Sequence, residues 1–562
     1  MTPADVKALP SGQLLNLADD VRGRILEVVG ENGGHLASSL GAVELALGLV
    51  RVFDPASDRI VWDVGHQSYA WKILTGRDES FGTLRRHRGL SGFPNPEESP
   101  CDAFVGGHAG AALAAAQGMA AARDLRGGKE FVVAVVGEAS LANGMALEAL
   151  LAMRPFSRLI LVLNDNAPSP GGCGGRGTTA LPAFDRSFFE SLGIEYQGPV
   201  DGNDITAVVD ALGEARNGGR AGAKVLHFRT VKGRGYAPAE ADPIAWHGVP
   251  PHALDATERD GADDSWSGVF GRALVDLARR DARVCAVVAA MPHGTGLLPF
   301  AQAFPDRFFD VGICEERAVT FAAGLAKAGM KPVVAIYSTF LQRAFDQIMH
   351  DVCILNLPVV FAVDRAGCVG ADGRTHHGMF DIPMLRCLPN MSLLQPRSAE
   401  LLREMLAAAL ASSGPVAIRW PRGGTARDGG AKPLSWGVAE QLSAPDARVQ
   451  VWALGDQVEK ACQAADILAD QGVAAGVVDA RFVKPFDTTL LARQRAAGAF
   501  IVSLENGAVA GGFGEAIGAD ARFGWPDAFV GHGSVEELEV DFGFTAQDVA
   551  RRVASALGKA GL

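Results

Sequence analysis

Two unbroken apolar runs limit the folds open to this chain more than any other feature. Residues 131–136 read FVVAVV and end in Gly137-Glu138-Ala139; residues 158–163 read RLILVL and end in Asn164-Asp165-Asn166. A helix-like stretch, 144–153, lies between them. Strands without a polar face must be covered on both sides, and a parallel sheet with crossover helices does this. The spacing therefore predicts a parallel strand–helix–strand unit, in which ligands bind beyond the carboxyl ends of the strands. The loops carrying Glu138 and Asn166 would lie side by side there. Carboxylate and amide oxygens facing a diphosphate suit magnesium, which takes few protein ligands and several phosphate or water oxygens. Polar residues also end many buried strands with no such role, so the pattern alone leaves both readings open.

A second informative stretch is 310–351, DVGICEERAVTFAAGLAKAGMKPVVAIYSTFLQRAFDQIMHD. It reads as a loop with carboxylates, a helix over 318–328, a buried strand over 332–336 and an amphipathic helix. The first helix is almost all Ala, Gly, Phe and Leu, which predicts cover on every side. Glu315 and Glu316 would then stand at the mouth of a buried helix, where desolvation can tune an acid for proton transfer. Two glutamates ahead of a helix also simply favour its positive end.

The remaining chain extends this pattern. His35 follows a glycine pair and His66 follows WDVG, both at junctions between loop and element; the competing reading is two satisfied structural histidines. Residues 168–177, PSPGGCGGRG, are glycine-rich but no Lys-Ser or Lys-Thr follows, so they read as a loop rather than a phosphate cradle. Another strand–helix–strand leads to a basic exit loop with Lys232 and Arg234, closed by His247. The fold class expected is α/β, with three domains, each an open, mostly parallel sheet flanked by helices: residues 1–255, 266–425 and 440–562. Linkers are expected at about 249–265 and 424–442. In the middle domain Arg365, Asp372, His376 and Arg422 fall on loops at strand ends, where α/β proteins build their sites. Two arginines there could fork onto a phosphate, or lie on the surface with nothing bound. The last domain has no dense cluster of reactive residues, which suggests a structural or dimer role.

With 562 residues, 48% of them hydrophobic, the chain needs more than one core. Its formal charge of -12 argues against general nucleic-acid binding, so an anionic substrate would depend on local arginines. Eight cysteines without a CxxC pair suit reduced thiols rather than a disulfide frame or a zinc site. The first residues show no apolar signal region and no run reaches membrane-spanning length, so a cytoplasmic protein without a membrane partner is expected.

Several long segments resemble the 1-deoxy-D-xylulose-5-phosphate synthases, a thiamine-diphosphate family of the transketolase superfamily. They are WDVGHQSYAWKILTGR, GPVDGNDI, KGRGYAPAEADPI, VAIYSTFLQRAFDQIMHD, DRAGCVGADGRTHHG and DARFVKPFD. The resemblance covers nearly the whole chain. It implies a transketolase-like homodimer with thiamine diphosphate held by the first two domains together with Mg2+. The reaction implied is condensation of pyruvate with D-glyceraldehyde 3-phosphate, with loss of carbon dioxide. It also implies that Glu315 hydrogen-bonds the aminopyrimidine ring, that Phe340 packs on that ring, and that Lys232, His247, His108 and Ala139 lie along the cofactor. His35, His66 and His376 would line the substrate channel as proton donors and acceptors. Arg365 and Arg422 would hold the aldehyde's phosphate, with Tyr337, Arg343 and Asp372 nearby. Glu138, Asn166 and the carbonyl of Pro168 would be the metal ligands.

The departures from the family pattern fall mostly on the diphosphate side. Gly137-Glu138-Ala139 stands where the family has Gly-Asp-Gly, and Asn166-Ala167-Pro168 where it has Asn-Glu-Met. Glutamate adds a methylene to a ligand of a metal that demands near-ideal octahedral geometry, and alanine adds a Cβ beside the diphosphate. Glu316-Arg317 replaces Gln-His, His108-Ala109-Gly110 replaces His-Ser-Ser, and the segment after Asn166 is short. Three outcomes stay open at this point: a working synthase, a paralogue using the cofactor on another donor or acceptor, and a relative that no longer holds the cofactor productively.

Overall fold

The computed structural model describes residues 1–166, 184–218, 222–252, 254, 264–425 and 432–560. They form two compact units, one holding the described residues up to 254 and the other those from 264 onward.

The two apolar runs are the centre of the first unit. Val132–Gly137 and Leu159–Asp165 pair in parallel, in register Val133 with Ile160 and Val135 with Val162. The sheet order is Arg59–Trp62, Val132–Gly137, Leu159–Asp165, Lys224–Arg229 and Glu195–Asp201, parallel throughout. Both faces are covered, as continuous apolar strands require: Val133 and Val135 join one hydrophobic cluster, Val132 and Val136 the other. Burying each such side chain contributes about 1.5–3 kcal/mol. The helix Gly144–Leu151 starts where Asn143 caps it, its side-chain oxygen accepting from the Met145 N–H.

A short antiparallel ladder in this unit joins distant parts of the sequence. Gly34–His35 pairs with Gly248–Val249, His35 opposite Gly248. The glycine before His35 is required: at φ 144°, a Cβ on Gly34 would lie 2.6 Å from the Tyr69 hydroxyl.

The second unit contains two sheets. The larger runs Phe482–Lys484, Ser392–Leu394, Val416–Arg419, Val360–Asp364, Lys331–Tyr337, Val284–Val288, Phe308–Asp310, and only Phe482–Lys484 is antiparallel to its neighbour. The smaller runs Glu440–Gln441, Ala475–Asp479, Val449–Ala453, Phe500–Ala508, Ala521–Trp525, parallel apart from Glu440–Gln441. The stretch 474–483, AAGVVDARFV, thus contributes two strands to two sheets. Arg481, at φ 58°, turns the chain between them. Its guanidinium contacts Glu440 and Asp479, and Arg397 reaches the same carboxylates at 3.1 and 3.0 Å. These are buried charges compensated by one another, so neither sheet edge keeps them in water.

The helix expected over 318–328 begins earlier, as Glu315–Lys327. Cover on every side is also corrected. Glu315, Ala318, Val319, Ala322, Ala323 and Ala326 are buried, but Thr320 and Gly324 are exposed. The three- and four-residue spacing of the buried set gives an ordinary one-sided helix despite the apolar composition. Beyond the strand Lys331–Tyr337, the expected amphipathic helix is a series of short turns, Ser338–Leu341, Gln342–Ala344, Phe345–Gln347 and Ile348–Cys353.

Candidate active-site residues

The first unit gathers three histidines. Ring centroids lie 5.9 Å apart for His35–His66, 5.5 Å for His35–His247 and 5.2 Å for His66–His247. The Gly34–His35 ladder is what delivers His247, since Leu36 N–H donates to its carbonyl at 3.2 Å. Ser38 Oγ lies 3.1 Å from His247 Nδ1, and Phe93 packs edge-on against His35. Neither Ser38 nor Phe93 was expected from the sequence; a serine three positions beyond a glycine-flanked histidine is too common a pattern to stand out. The His108 loop reaches the same strand ends: Gly107 N–H donates to the Val64 carbonyl at 2.6 Å, and Gly110 N–H to Asp63 at 2.8 Å.

Burial disfavours the charged form of His66 and His247. Desolvation, with neighbouring His247, His35 and Lys232 adding to it, holds His66 well below its usual range. Desolvation and Lys232 bring His247 down to about 3. His66 Nδ1 is buried and has no hydrogen-bond partner, a cost unless a bound group completes it.

The expected meeting of the Glu138 and Asn166 loops occurs: Asn166 N–H donates to Glu138 Oε2 at 3.2 Å. Glu138 opens the short helix Glu138–Leu141, with Ala139 half-buried behind it. Burial raises the Glu138 pKa, Asp165 adds to this and Lys232 opposes it. Lys232 is itself lowered by desolvation and raised by Glu138. One lysine thus carries the field felt by the histidines and by Glu138, so all belong to one polar site. A desolvated carboxylate of this kind fits a cation as its compensating charge. Pro168 and the 168–177 loop lie outside the described residues. Among the described residues no group of three or more His, Cys, Asp or Glu could hold a metal alone, so the candidate set is one carboxylate with neighbouring oxygens.

The second unit carries an acid and an aromatic cluster. Glu315 is 3% exposed, and its Oε2 has no hydrogen-bond partner. Desolvation, helped by Glu316 and opposed by Arg343, pushes it up to about 7. Tyr337, at the end of its strand, stacks on Phe340 with centroids 5.7 Å apart, and Phe340 meets His376 edge-on at 5.5 Å. The Arg365 guanidinium lies 4.0 Å over the Tyr337 ring and donates to the Gly294 carbonyl at 2.9 Å. Arg422 donates to Asp372 Oδ2 at 2.9 Å. Tyr337, Phe340, His376, Arg365, Asp372 and Arg422 therefore share one locality, while Arg343 acts on Glu315. Gly294 was not singled out in the sequence, although a Cβ there would lie 1.8 Å from the Tyr337 hydroxyl.

Comparison with known proteins gives matches over nearly the whole chain. The family model described as 1-deoxy-D-xylulose-5-phosphate synthase matches residues 1–173 and 176–230. Transketolase, pyrimidine binding domain, matches 263–426, and Transketolase, C-terminal domain, 437–549. The chain is 43% identical to 1-deoxy-D-xylulose-5-phosphate synthase 1 of Geobacter sulfurreducens, covering 100% of this chain and 97% of the relative. That alignment runs over 620 positions against 562 residues here, so the relative has segments this chain lacks. It is 42% identical to 1-deoxy-D-xylulose-5-phosphate synthase of Aquifex aeolicus, covering 99% and 97%. Among solved structures, transketolase from Leishmania mexicana is 18% identical over 97% of each chain, with TM-score 0.49.

Proposed function

Because the chain belongs to the 1-deoxy-D-xylulose-5-phosphate synthase family, we propose that it uses thiamine diphosphate with Mg2+ in a cytoplasmic homodimer. The protein is a transferase of the transketolase type. It condenses pyruvate with D-glyceraldehyde 3-phosphate, releasing carbon dioxide and giving 1-deoxy-D-xylulose 5-phosphate, an isoprenoid precursor. Identity at this level along the whole chain favours this reading over a paralogue or a non-catalytic relative.

Thiamine diphosphate supplies an electron sink for the decarboxylation. The protein's share is binding, orientation and proton transfer. Glu138 and Asn166, with Pro168, would hold the metal, and Lys232, His108 and Ala139 would line the diphosphate. Glu315 Oε2 would share a proton with a ring nitrogen of the pyrimidine, against which Phe340 packs. A carboxyl near neutrality suits that role, because either protonation state is accessible at working pH. His66 and His247, held neutral, can accept or relay a proton without burying a charge, and His35 stands in their ring contact. On the second unit His376 would donate to the substrate. Arg365, Arg422 and Arg343 would hold its anionic groups, with Tyr337 and Asp372 shaping the pocket for the acceptor. The separate family matches, at 1–173 with 176–230, at 263–426 and at 437–549, favour a division at about 1–255, 266–425 and 440–562, with the last part structural.

The observation that carries the residue assignment is the buried, partnerless oxygen of Glu315 at a helix start. The experiment is product analysis after supplying pyruvate, D-glyceraldehyde 3-phosphate, thiamine diphosphate and magnesium. The native chain is expected to form 1-deoxy-D-xylulose 5-phosphate and Glu315→Ala none. Turnover surviving in the alanine variant removes Glu315 from the mechanism. Light scattering tests the dimer; a monomer at working concentration rejects it.

A further inference from the structure

The loop from Arg365 to Gly378 carries Asp372 and His376. Its neck is closed by reciprocal backbone bonds between Gly367 and Gly378, each 2.7 Å. One side of its base is pinned where Cys368 N–H donates to Asn506 Oδ1 at 3.0 Å. Asn506 is itself fixed by the Trp525 indole at 2.8 Å and by its own bond to Asp456 at 2.9 Å.

His377, 3% exposed, stands at the other side of the base. Val369 N–H donates to its Nδ1 at 3.1 Å, and its Nε2 lies 2.8 Å from the Gly531 carbonyl. Acceptance at Nδ1 puts the ring proton on Nε2, where it is donated to Gly531. One neutral tautomer therefore satisfies both partners. Desolvation, with His532 adding to it and the Gly531 carbonyl and Asp372 opposing it, holds the ring pKa below its usual value. The carbonyl of the same residue faces the candidate site: Arg422 Nη1, the atom that donates to Asp372, lies 3.5 Å from the Val369 carbonyl oxygen.

We propose that His377 is a positioning residue for the acceptor substrate, clamping Val369 to Gly531 so that Asp372 and Arg422 are held in register. This rests on Arg422 and Asp372 serving the aldehyde phosphate, as argued above. His377 itself touches no substrate. The clamp requires one acceptor and one donor at imidazole spacing, a demand that glutamine meets and leucine does not. Asparagine is too short to reach both partners.

The test uses the full chain with thiamine diphosphate and magnesium, comparing His377→Leu and His377→Gln with the native protein while each substrate is varied in turn. In the leucine variant, losing both bonds is expected to raise KM for D-glyceraldehyde 3-phosphate about tenfold or more. KM for pyruvate is expected to stay within about twofold, and glutamine to restore most of the loss. Amide exchange across 366–378 should quicken with leucine and return with glutamine. If the leucine variant does not fold, His377→Asn takes its place. Equal rises in both KM values, no change in either, or a glutamine variant no better than leucine would each overturn the proposal. A native chain that makes no 1-deoxy-D-xylulose 5-phosphate would show the underlying reading to be wrong before any variant is compared, and the proposal would fall with it.

Discussion

Replacing Glu315 with glutamine should stabilise the cofactor-free protein at alkaline pH and not at acid pH. The carboxyl is 3% exposed and titrates near 7 rather than at its ordinary 4.5, first because of desolvation and then because Glu316 lies close. Between those two values the folded protein keeps a proton that the unfolded chain has released. Stability therefore falls as pH rises through this window and stays low above it. The difference corresponds to about 3 kcal/mol. Glutamine removes the ionisation and keeps the shape. The gap in unfolding free energy between the glutamine variant and the native chain should then widen by about 3 kcal/mol in the variant's favour between pH 4.5 and pH 8. Urea unfolding without thiamine diphosphate or metal, followed by circular dichroism at several pH values, measures that gap. Glu505, also pushed up to about 7 by burial, titrates in both proteins and cancels in the difference. A gap that stays constant across the range refutes the claim that Glu315 carries a proton near neutrality.

Three further outcomes are expected. Changing Glu138→Asp with Ala139→Gly should tighten thiamine diphosphate and magnesium binding in titration calorimetry by about tenfold, since the shorter carboxylate better suits octahedral magnesium; unchanged affinity would place the departure elsewhere. Gly110→Ser should lower the melting temperature, at a cost of about 1–3 kcal/mol, because Gly110 sits at φ 82° with a Cβ position 2.5 Å from Asn143 Oδ1; an unchanged melting curve would show that the loop accommodates a side chain. Asp381→Ala should cost about 3–5 kcal/mol in denaturant unfolding, because it strands the buried guanidinium of Arg419, which donates to Asp381 at 2.9 Å; Arg419 also donates to the Gln395 side-chain oxygen and the Asn506 carbonyl, and a loss well below that range would mean those two contacts suffice.

Several parts of the site were legible as sequence. Glu138 and Asn166 follow apolar runs that can only be buried parallel strands, so their loops had to end at the same edge. Arg365, Asp372 and Arg422 follow strand-like runs in the same way. The grouping around Tyr337 was foreseen from family resemblance rather than from spacing, because a ring stack and a cation over a ring join loops far apart in the chain. Ser38, Phe93, Gly294 and His377 were missed. Each acts through a contact whose partner lies in another element, and nothing local marks it.

By itself the sequence determined the layer architecture, because a strand without a polar face tolerates only one kind of neighbourhood. It also marked the glycine pair ahead of His35 as a junction between loop and helix, whereas the need for glycine at Gly34, where a side chain would meet Tyr69, came from the tertiary structure. Tertiary structure alone decided which of these residues carry charge. Glu315 is pushed up to about 7 and His247 down to about 3 by what surrounds them on all sides, and desolvation sums over neighbours that no periodic pattern encodes. It also decided that the Glu315–Lys327 helix covers one face only, and that residues 475–484 divide between two sheets. Composition sets how much surface must be buried, whereas the packing partners settle which side of each element is buried.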